Sequence, residues 1–282
     1  MAEIYTLFRK HGLTPEVVSS FQTVIRDYYQ EHGRVFPWRE TTDPYYILVS
    51  EFMLQQTQTS RVVEKYIEFI SDFPDVFQLA RSPFREVLRI WQGLGYNRRA
   101  LALHKTAGEV VDRYHGWVPD DPALLSQLPG VGEYTTAAMM AIAFNKPAVV
   151  IDTNIRTVYL YFFFRETETV GKSDIVPLIE ATLDRNSPRE WYYALFDYGL
   201  MLKREKKDLE TGKRRKQSTF RGSDRELRGN ILRLLLDTEV MTEDQLLARL
   251  LSDEDRVRRI VSQLYEEGLL DRNDGVVRIR QQ

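Results

Sequence analysis

The chain has 282 residues, of which 43% are hydrophobic and 28% charged, with a formal net charge of −2 and no cysteine. That balance fits a globular protein of one large domain or two smaller ones. It also excludes disulfides, thiolate zinc sites and cysteine-held iron–sulfur clusters. The four histidines, His11, His32, His104 and His115, are scattered without metal-ligand spacing.

The N-terminus, Met1 to Ser20, is charged and lacks an apolar core of signal-peptide length. The strongest apolar runs, Met139–Phe144 and Val158–Phe164, are too short to span a bilayer. The expectation is a cytoplasmic protein with no membrane partner. Up to about residue 200, segments such as Val62–Phe69, Phe84–Trp91 and Leu101–Tyr114 repeat apolar residues at helical spacing, and strand-like alternation is nearly absent. The predicted class is therefore all-α.

Leu48–Gln58 places one carboxylate, Glu51, inside a predicted helix with apolar residues on both sides. A Glu there is either a member of a partly buried ion pair or a tuned general acid. The polar run Gln55–Gln58 has little reason to interrupt a core helix, and suits contact with base edges or filling a gap in a base stack. Next comes Leu128-Pro129-Gly130-Val131-Gly132-Glu133-Tyr134-Thr135, a G-x-G turn entering a helix. Its unpaired N–H groups suit a phosphate at the positive end of the helix dipole. Read alone, it is more simply a helix–helix turn with structural glycines. Some twenty residues on, Asp152 follows the apolar run Val149–Ile151 and precedes Thr153-Asn154-Ile155-Arg156. It is placed to cap the next helix, a role compatible with catalysis.

Between Lys203 and Arg221, nine basic residues face three acidic ones, which reads as an exposed basic connector over 203–222. Beyond it, Arg225–Leu236 reads as a helix, Thr242 as the cap of a second ending near Leu250, and Ser252 as the cap of a third running to Gly268. A hairpin, Leu269–Leu270 and Val276–Ile279 about the turn pair Asp274–Gly275, closes the chain. Three helices and a two-stranded wing predict a winged-helix-like module over 223–282. It carries ten arginines against thirteen acidic residues, so the connector is expected to contribute more to the binding of a polyanion than the module does.

The segments FPWR, SEFMLQQTQ, GLGY, LPGVGEYT and IDTNIRTV occur here in the order and spacing of the helix-hairpin-helix glycosylase superfamily. The chain most resembles its MutY-type adenine glycosylases over residues 20–202. The resemblance implies a two-lobed fold, with a helical-barrel lobe over about 32–146, a second lobe from 1–31 plus 147–202, and the active site in the cleft between them. It also implies a monomer acting on double-stranded DNA with a mismatch or lesion, associated with the nucleoid.

The implied roles fall on particular residues. Glu51 would protonate the base and later handle the attacking water, and Asp152 would stabilise the cationic sugar. Asn154 and Tyr134 would orient that pair. Arg34, Trp38, Arg39 and Leu54 would line the pocket for an extruded base, with Asp197 at its far edge. Gln55, Gln56 and Tyr96 would contact or wedge into the duplex. Gly130, Val131 and Gly132 would bind phosphate through their amides, with room for a monovalent cation at 128–132. Lys213, Arg214, Arg215 and Lys216 would contact DNA from the connector.

N-glycosidic cleavage builds positive charge on the sugar and negative charge on the base, so one carboxyl must be protonated and the other ionised. Lyase-competent relatives place a Lys where Tyr134 stands, so base removal without efficient strand nicking is expected. The chain departs from the family in lacking the four cluster cysteines and the C-terminal domain that reads 8-oxoguanine. It also has Thr153 where Gly is most common. Adenine opposite 8-oxoguanine or guanine is the expected substrate, with thymine or uracil in mismatches the alternative. A non-catalytic DNA-binding protein on the same scaffold is a reading of another class.

Overall fold

In a computed structural model, residues 2–165, 167, 169–250 except 206–218, and 252–281 are described. The helices are α1 (Ala2–His11), α2 (Pro15–His32), α3 (Pro44–Leu54), α4 (Thr59–Asp72), α5 (Val76–Arg81), α6 (Phe84–Trp91), α7 (Arg98–Tyr114), α8 (Pro122–Leu125) and α9 (Glu133–Ala138). They continue with α10 (Thr153–Phe163), α11 (Lys172–Thr182), α12 (Pro188–Glu205), α13 (Asp224–Thr238), α14 (Glu243–Arg249) and α15 (Glu254–Glu266). A short 3-10 turn spans Pro37–Arg39, and a π-helical turn, Met139–Ala143, extends α9. Among the described residues, strands occur only after residue 239, as expected: β1 (Val240–Thr242), β2 (Leu270–Asn273) and β3 (Val276–Ile279).

Two compact units divide the chain. One holds residues 2–48, 119–127 and 131–205, and so takes in 32–48 and 131–146 together with the N-terminal helices and 147–202. The other holds 49–118, 128–130 and 219–281, grouping the module with α4–α7. In the first unit α10 packs along α12, and α12 along α2. An aromatic cluster fills the space: Phe21 lies 5.1–5.8 Å from the rings of Tyr159, Phe162, Phe163 and Trp191, all fully buried. Edge-on pairs of this kind add about 0.5–1.5 kcal/mol each beyond burial. Val17, Phe21 and Ile25 supply the matching stripe of α2 at a spacing of four residues.

The second unit is built on α7, whose buried face runs through Arg99, Leu103, Thr106 and Val110. The module packs α13 on α15, burying Leu227, Ile231, Leu235, Val257, Ile260 and Leu264. Thr242 caps α14 in a capping box with Gln245, as expected. The third helix, however, is capped by Asp253 rather than Ser252: the Asp253 carboxylate accepts the Arg256 amide at 2.9 Å. The wing also gains a strand, since β1 pairs with β3 to give the order β1-β3-β2. Asp274 and Gly275 both adopt positive φ, 49° and 75°, which two-residue turns of twisted hairpins require. The module is tied to α6 through Arg85, which donates to the Leu236 carbonyl and lies 3.6 Å from Glu239. Among the described residues, no helix is long and apolar enough to cross a membrane.

Candidate active site

The sequence starts α10 at Asp152, and the structure shows how. The Asp152 backbone is extended, and its Oδ1 accepts the amides of Asn154 at 2.8 Å and Ile155 at 2.7 Å. Two of the helix's orphan donors are thereby satisfied. The other oxygen, Oδ2, accepts from Asn154 Nδ2 at 3.0 Å. Burial pushes the Asp152 carboxyl above its ordinary value, and the amides, Asn154 and Lys203 pull it back only partly. The side chain is half-buried, so part of the residue still reaches solvent.

Lys203, assigned to the connector by sequence, instead belongs to the last turn of α12, where it donates to Thr153 Oγ1 at 2.9 Å and Asn154 Oδ1 at 2.8 Å. One turn earlier, Gly199 lets the two helices approach. A Cβ there would lie 2.9 Å from Asn154 Cα and closer still to its carbonyl. Lys203 was missed as a site residue because a charge run hides it. The signal that would have found it is its spacing, four residues after a helical Gly.

The FPWR segment makes a second cluster in the same unit. Asp197 on α12 is only 3% exposed, and its carboxylate accepts from both arginines. Arg34 donates through its amide and Nε, each at 2.8 Å, and Arg39 through both terminal nitrogens at 2.8 and 2.9 Å. Burial alone would raise this carboxyl, but Arg39 and Arg34 outweigh it and hold it below the ordinary range. Phe36 stacks on buried Trp38 at 5.0 Å, with Arg34 and Arg39 over its ring at 5.0 and 5.2 Å. Arg34, Trp38, Arg39 and Asp197 are thus brought together. Asp197 acts as the clamp that sets the arginines, since its oxygens already serve them. Tyr134, in the first turn of α9, is 37% exposed, while its neighbour Glu133 pairs with Lys172 at 2.6 Å.

In the other unit, Glu51 is 7% exposed on α3, next to the buried Ser50 and Phe52. Leu54 ends that helix half-buried, Gln55 follows half-buried and Gln56 is exposed. Gln56 and Tyr96 both take left-handed backbone conformations, φ 55° and 48°, and Tyr96 is 50% exposed. Non-glycine residues in this region store strain and cluster at functional sites.

Arg99 joins the two loops. Its Nη1 donates to the carbonyls of Phe52, Met53 and Gln55 at 2.8, 2.9 and 2.6 Å. Its Nη2 donates to Thr57 Oγ1, Leu94 O and Gly95 O at 2.9, 3.3 and 3.1 Å. Burial lowers its pKa to about 10, so it remains charged at neutral pH. The sequence offered a signal here as well, an Arg on the apolar stripe of α7.

The hairpin is anchored by Thr106 Oγ1, which donates to Pro129 O at 2.7 Å. Gly130 has φ 76°, and a Cβ there would lie 2.7 Å from Ala102 Cβ and 2.9 Å from Phe52 Cε1. Val131 is buried, whereas Gly132 precedes α9 with open space at its Cα. Lys213, Arg214, Arg215 and Lys216 lie outside the described residues. Among the described residues, no group of three His, Asp or Glu could hold a metal ion. With no cysteine in the chain, a thiolate-held cluster does not fit.

Residues 49–174 match the family described as HhH-GPD superfamily base excision DNA repair protein. The chain is 32% identical over 276 residues to the adenine DNA glycosylase of Mycolicibacterium smegmatis, covering 86% of this chain and 90% of that one. It is 31% identical over 186 residues to the adenine DNA glycosylase of Buchnera aphidicola, covering 64% of this chain but only 52% of that relative. Among solved structures, a thermostable thymine-DNA glycosylase aligns with a TM-score of 0.59 at 30% identity, covering 64% of this chain and 85% of that one. With the Mycolicibacterium relative matched over nine-tenths of its length, the chain belongs to the HhH-GPD superfamily of base excision DNA repair proteins.

Proposed function

We propose that this protein is a monofunctional DNA glycosylase that flips a mispaired adenine from duplex DNA and hydrolyses its N-glycosidic bond. The observation that carries the reading is Asp152: a half-buried carboxylate fixed on the first turn of α10, with its pKa raised by burial. A fixed anion in a poorly solvated place stabilises a cationic sugar far better than one in water. Buried Glu51 serves as the acid that protonates the departing base.

Gln56 and Tyr96 fill the gap that the extruded base leaves, offsetting the few kcal/mol that flipping costs. Arg34, Trp38 and Arg39 receive the base, and the amides of 130–132 hold a phosphate. The cationic residues Lys213, Arg214, Arg215 and Lys216 add sequence-independent affinity. Tyr134 supplies no amine for a Schiff base, so the abasic strand stays intact. The names of the Mycolicibacterium and Buchnera relatives favour adenine. Similarity to the thymine-DNA glycosylase supports a second reading, thymine or uracil removed from mismatches.

The test is a single-turnover panel of duplexes carrying adenine opposite 8-oxoguanine or guanine, and thymine or uracil opposite guanine. E51Q and D152N run alongside. Adenine release that falls by about 10²-fold or more in each variant, with duplex binding retained, is the expected result. Thymine or uracil release alone moves the assignment to the second reading. Release of no base from any duplex makes the protein a DNA-binding scaffold.

A further inference from the structure

We propose that Lys203 is a positioning residue for the Asp152 carboxylate, acting through Asn154 to keep that carboxylate ionised and correctly turned. The proposal rests on the reading of Asp152 as the group that faces the cationic sugar. Its basis is the chain of contacts from Lys203 Nζ to Asn154 Oδ1, 2.8 Å, and from Asn154 Nδ2 to Asp152 Oδ2, 3.0 Å.

The chemistry of the three groups fixes the direction of every bond. An ammonium only donates, so the Asn154 oxygen must face Lys203 and its NH₂ must face Asp152. An ionised carboxylate only accepts, which suits that NH₂ and the two helix amides on the other oxygen. A protonated Asp152 would need an acceptor, and Lys203 has already taken the Asn154 oxygen. The network therefore fits the ionised form and penalises the neutral one, in addition to the direct attraction between the two charges.

The surroundings leave this task to Lys203. Among the described residues, it is the charged side chain that acts on Asp152, and it pulls the carboxyl downward against burial. Arg156, on the same helix, is directed to the Val170 carbonyl, and the Tyr192 hydroxyl on α12 serves Val150 N and Ala148 O. Two features of the chain support the placement. Gly199 allows α12 to approach closely enough for a Lys one turn later to reach the start of α10. Thr153 gives the ammonium a second acceptor at 2.9 Å, which fixes it in place.

The experiment compares K203M, K203Q and K203R with the wild type by two readouts. The first is a ¹³C NMR titration of the Asp carboxyl carbons without DNA, with Asp152 assigned by its loss in D152N. The second is the pH dependence of single-turnover base release. In K203M the Asp152 midpoint and the acid limb of the rate should both move to higher pH. At the pH where the wild type runs at half its maximal rate, the variant should be about fivefold slower, as expected if one nearby cation shifts a carboxyl tenfold in proton affinity.

K203R should restore both readouts. K203Q, which keeps a donor to Asn154 without the charge, should fall between. A wild-type midpoint and acid limb in K203M would overturn the proposal. So would a variant that changes only duplex affinity and its salt dependence, because Lys203 would then be a phosphate contact. If the wild type releases no base, the proposed function fails, and the titration still decides whether Lys203 governs Asp152.

Discussion

Replacing Arg99 by Met tests how the two loops bearing Gln56 and Tyr96 are held. The guanidinium donates to five backbone carbonyls and one hydroxyl, drawn from the end of α3, the Gln55–Thr57 loop and the Leu94–Gly95 turn. Hydrogen bonds to a charged group contribute about 1.5–3 kcal/mol each. Simple addition of six would rival the whole stability of the fold, about 5–15 kcal/mol, because it ignores the cost of burying the cation. That cost is real here, since burial lowers the Arg99 pKa to about 10. The better guide is the cost of leaving a buried acceptor without its donor, about 1–3 kcal/mol each, so two or three uncompensated carbonyls cost about 3–5 kcal/mol. R99M should lose that much in urea unfolding, with an unchanged slope against urea. T57V, which removes one acceptor, should lose about 1 kcal/mol. Where R99M remains folded, base release should fall more than duplex affinity if the proposed function holds, because the loops bearing Gln56 and Tyr96 lose their common anchor. A stability loss below about 1 kcal/mol would falsify the account, since the six bonds could not then be holding the loops.

Two further outcomes follow from the first turn of α10. G199A should lose stability and base release together, because its Cβ would collide with the Asn154 backbone rather than with a movable side chain; an active protein melting within a degree of wild type would contradict this. D152N should behave oppositely, inactive yet no less stable, because Asn caps helices as well as Asp does. The sign follows from linkage. Since folding raises the Asp152 pKa, ionising it destabilises the fold at neutral pH, and this cost is absent below the unfolded value near 3.9. The variant should therefore match or exceed the wild-type melting temperature at pH 7, and any advantage should vanish below about pH 4. A lower melting temperature at pH 7 alone would mean that the amides and Lys203, not burial, dominate.

The local signals in the sequence were the legible ones. The Asp152 cap, the Thr242–Gln245 capping box and the Asp274–Gly275 turn each depend on neighbours within four residues, so residue type and spacing are enough. Glu51 could be placed on a helix for the same reason. What the sequence hid depends on partners far along the chain. Asp197 meets Arg34 163 residues away, and Lys203 meets Asn154 49 residues away. Strand β1 is three residues long with one buried side chain, too short for an alternation to register, and only pairing with β3 defines it. The choice between Ser252 and Asp253 as cap turned on one residue of register, which propensity does not resolve because both types cap well.

Three buried or half-buried charges show where the fold puts stability first and where it does not. Asp197 has two guanidiniums on its oxygens, and its proton affinity is driven below the ordinary range despite burial. Among the described residues, Arg99 has no carboxylate as hydrogen-bond acceptor, but carbonyls and a hydroxyl surround it closely enough to keep it charged. Asp152 alone of the three is left with burial in the ascendant, although guanidiniums on its oxygens would have neutralised it as they do Asp197. A carboxylate satisfied in that way would offer little to a developing cation, because its field would already be cancelled. The single ammonium of Lys203, placed behind Asn154 rather than on the carboxylate itself, is proposed to favour the ionised form of Asp152 while leaving its charge uncancelled. This is the arrangement expected of a group whose partner arrives only with the substrate.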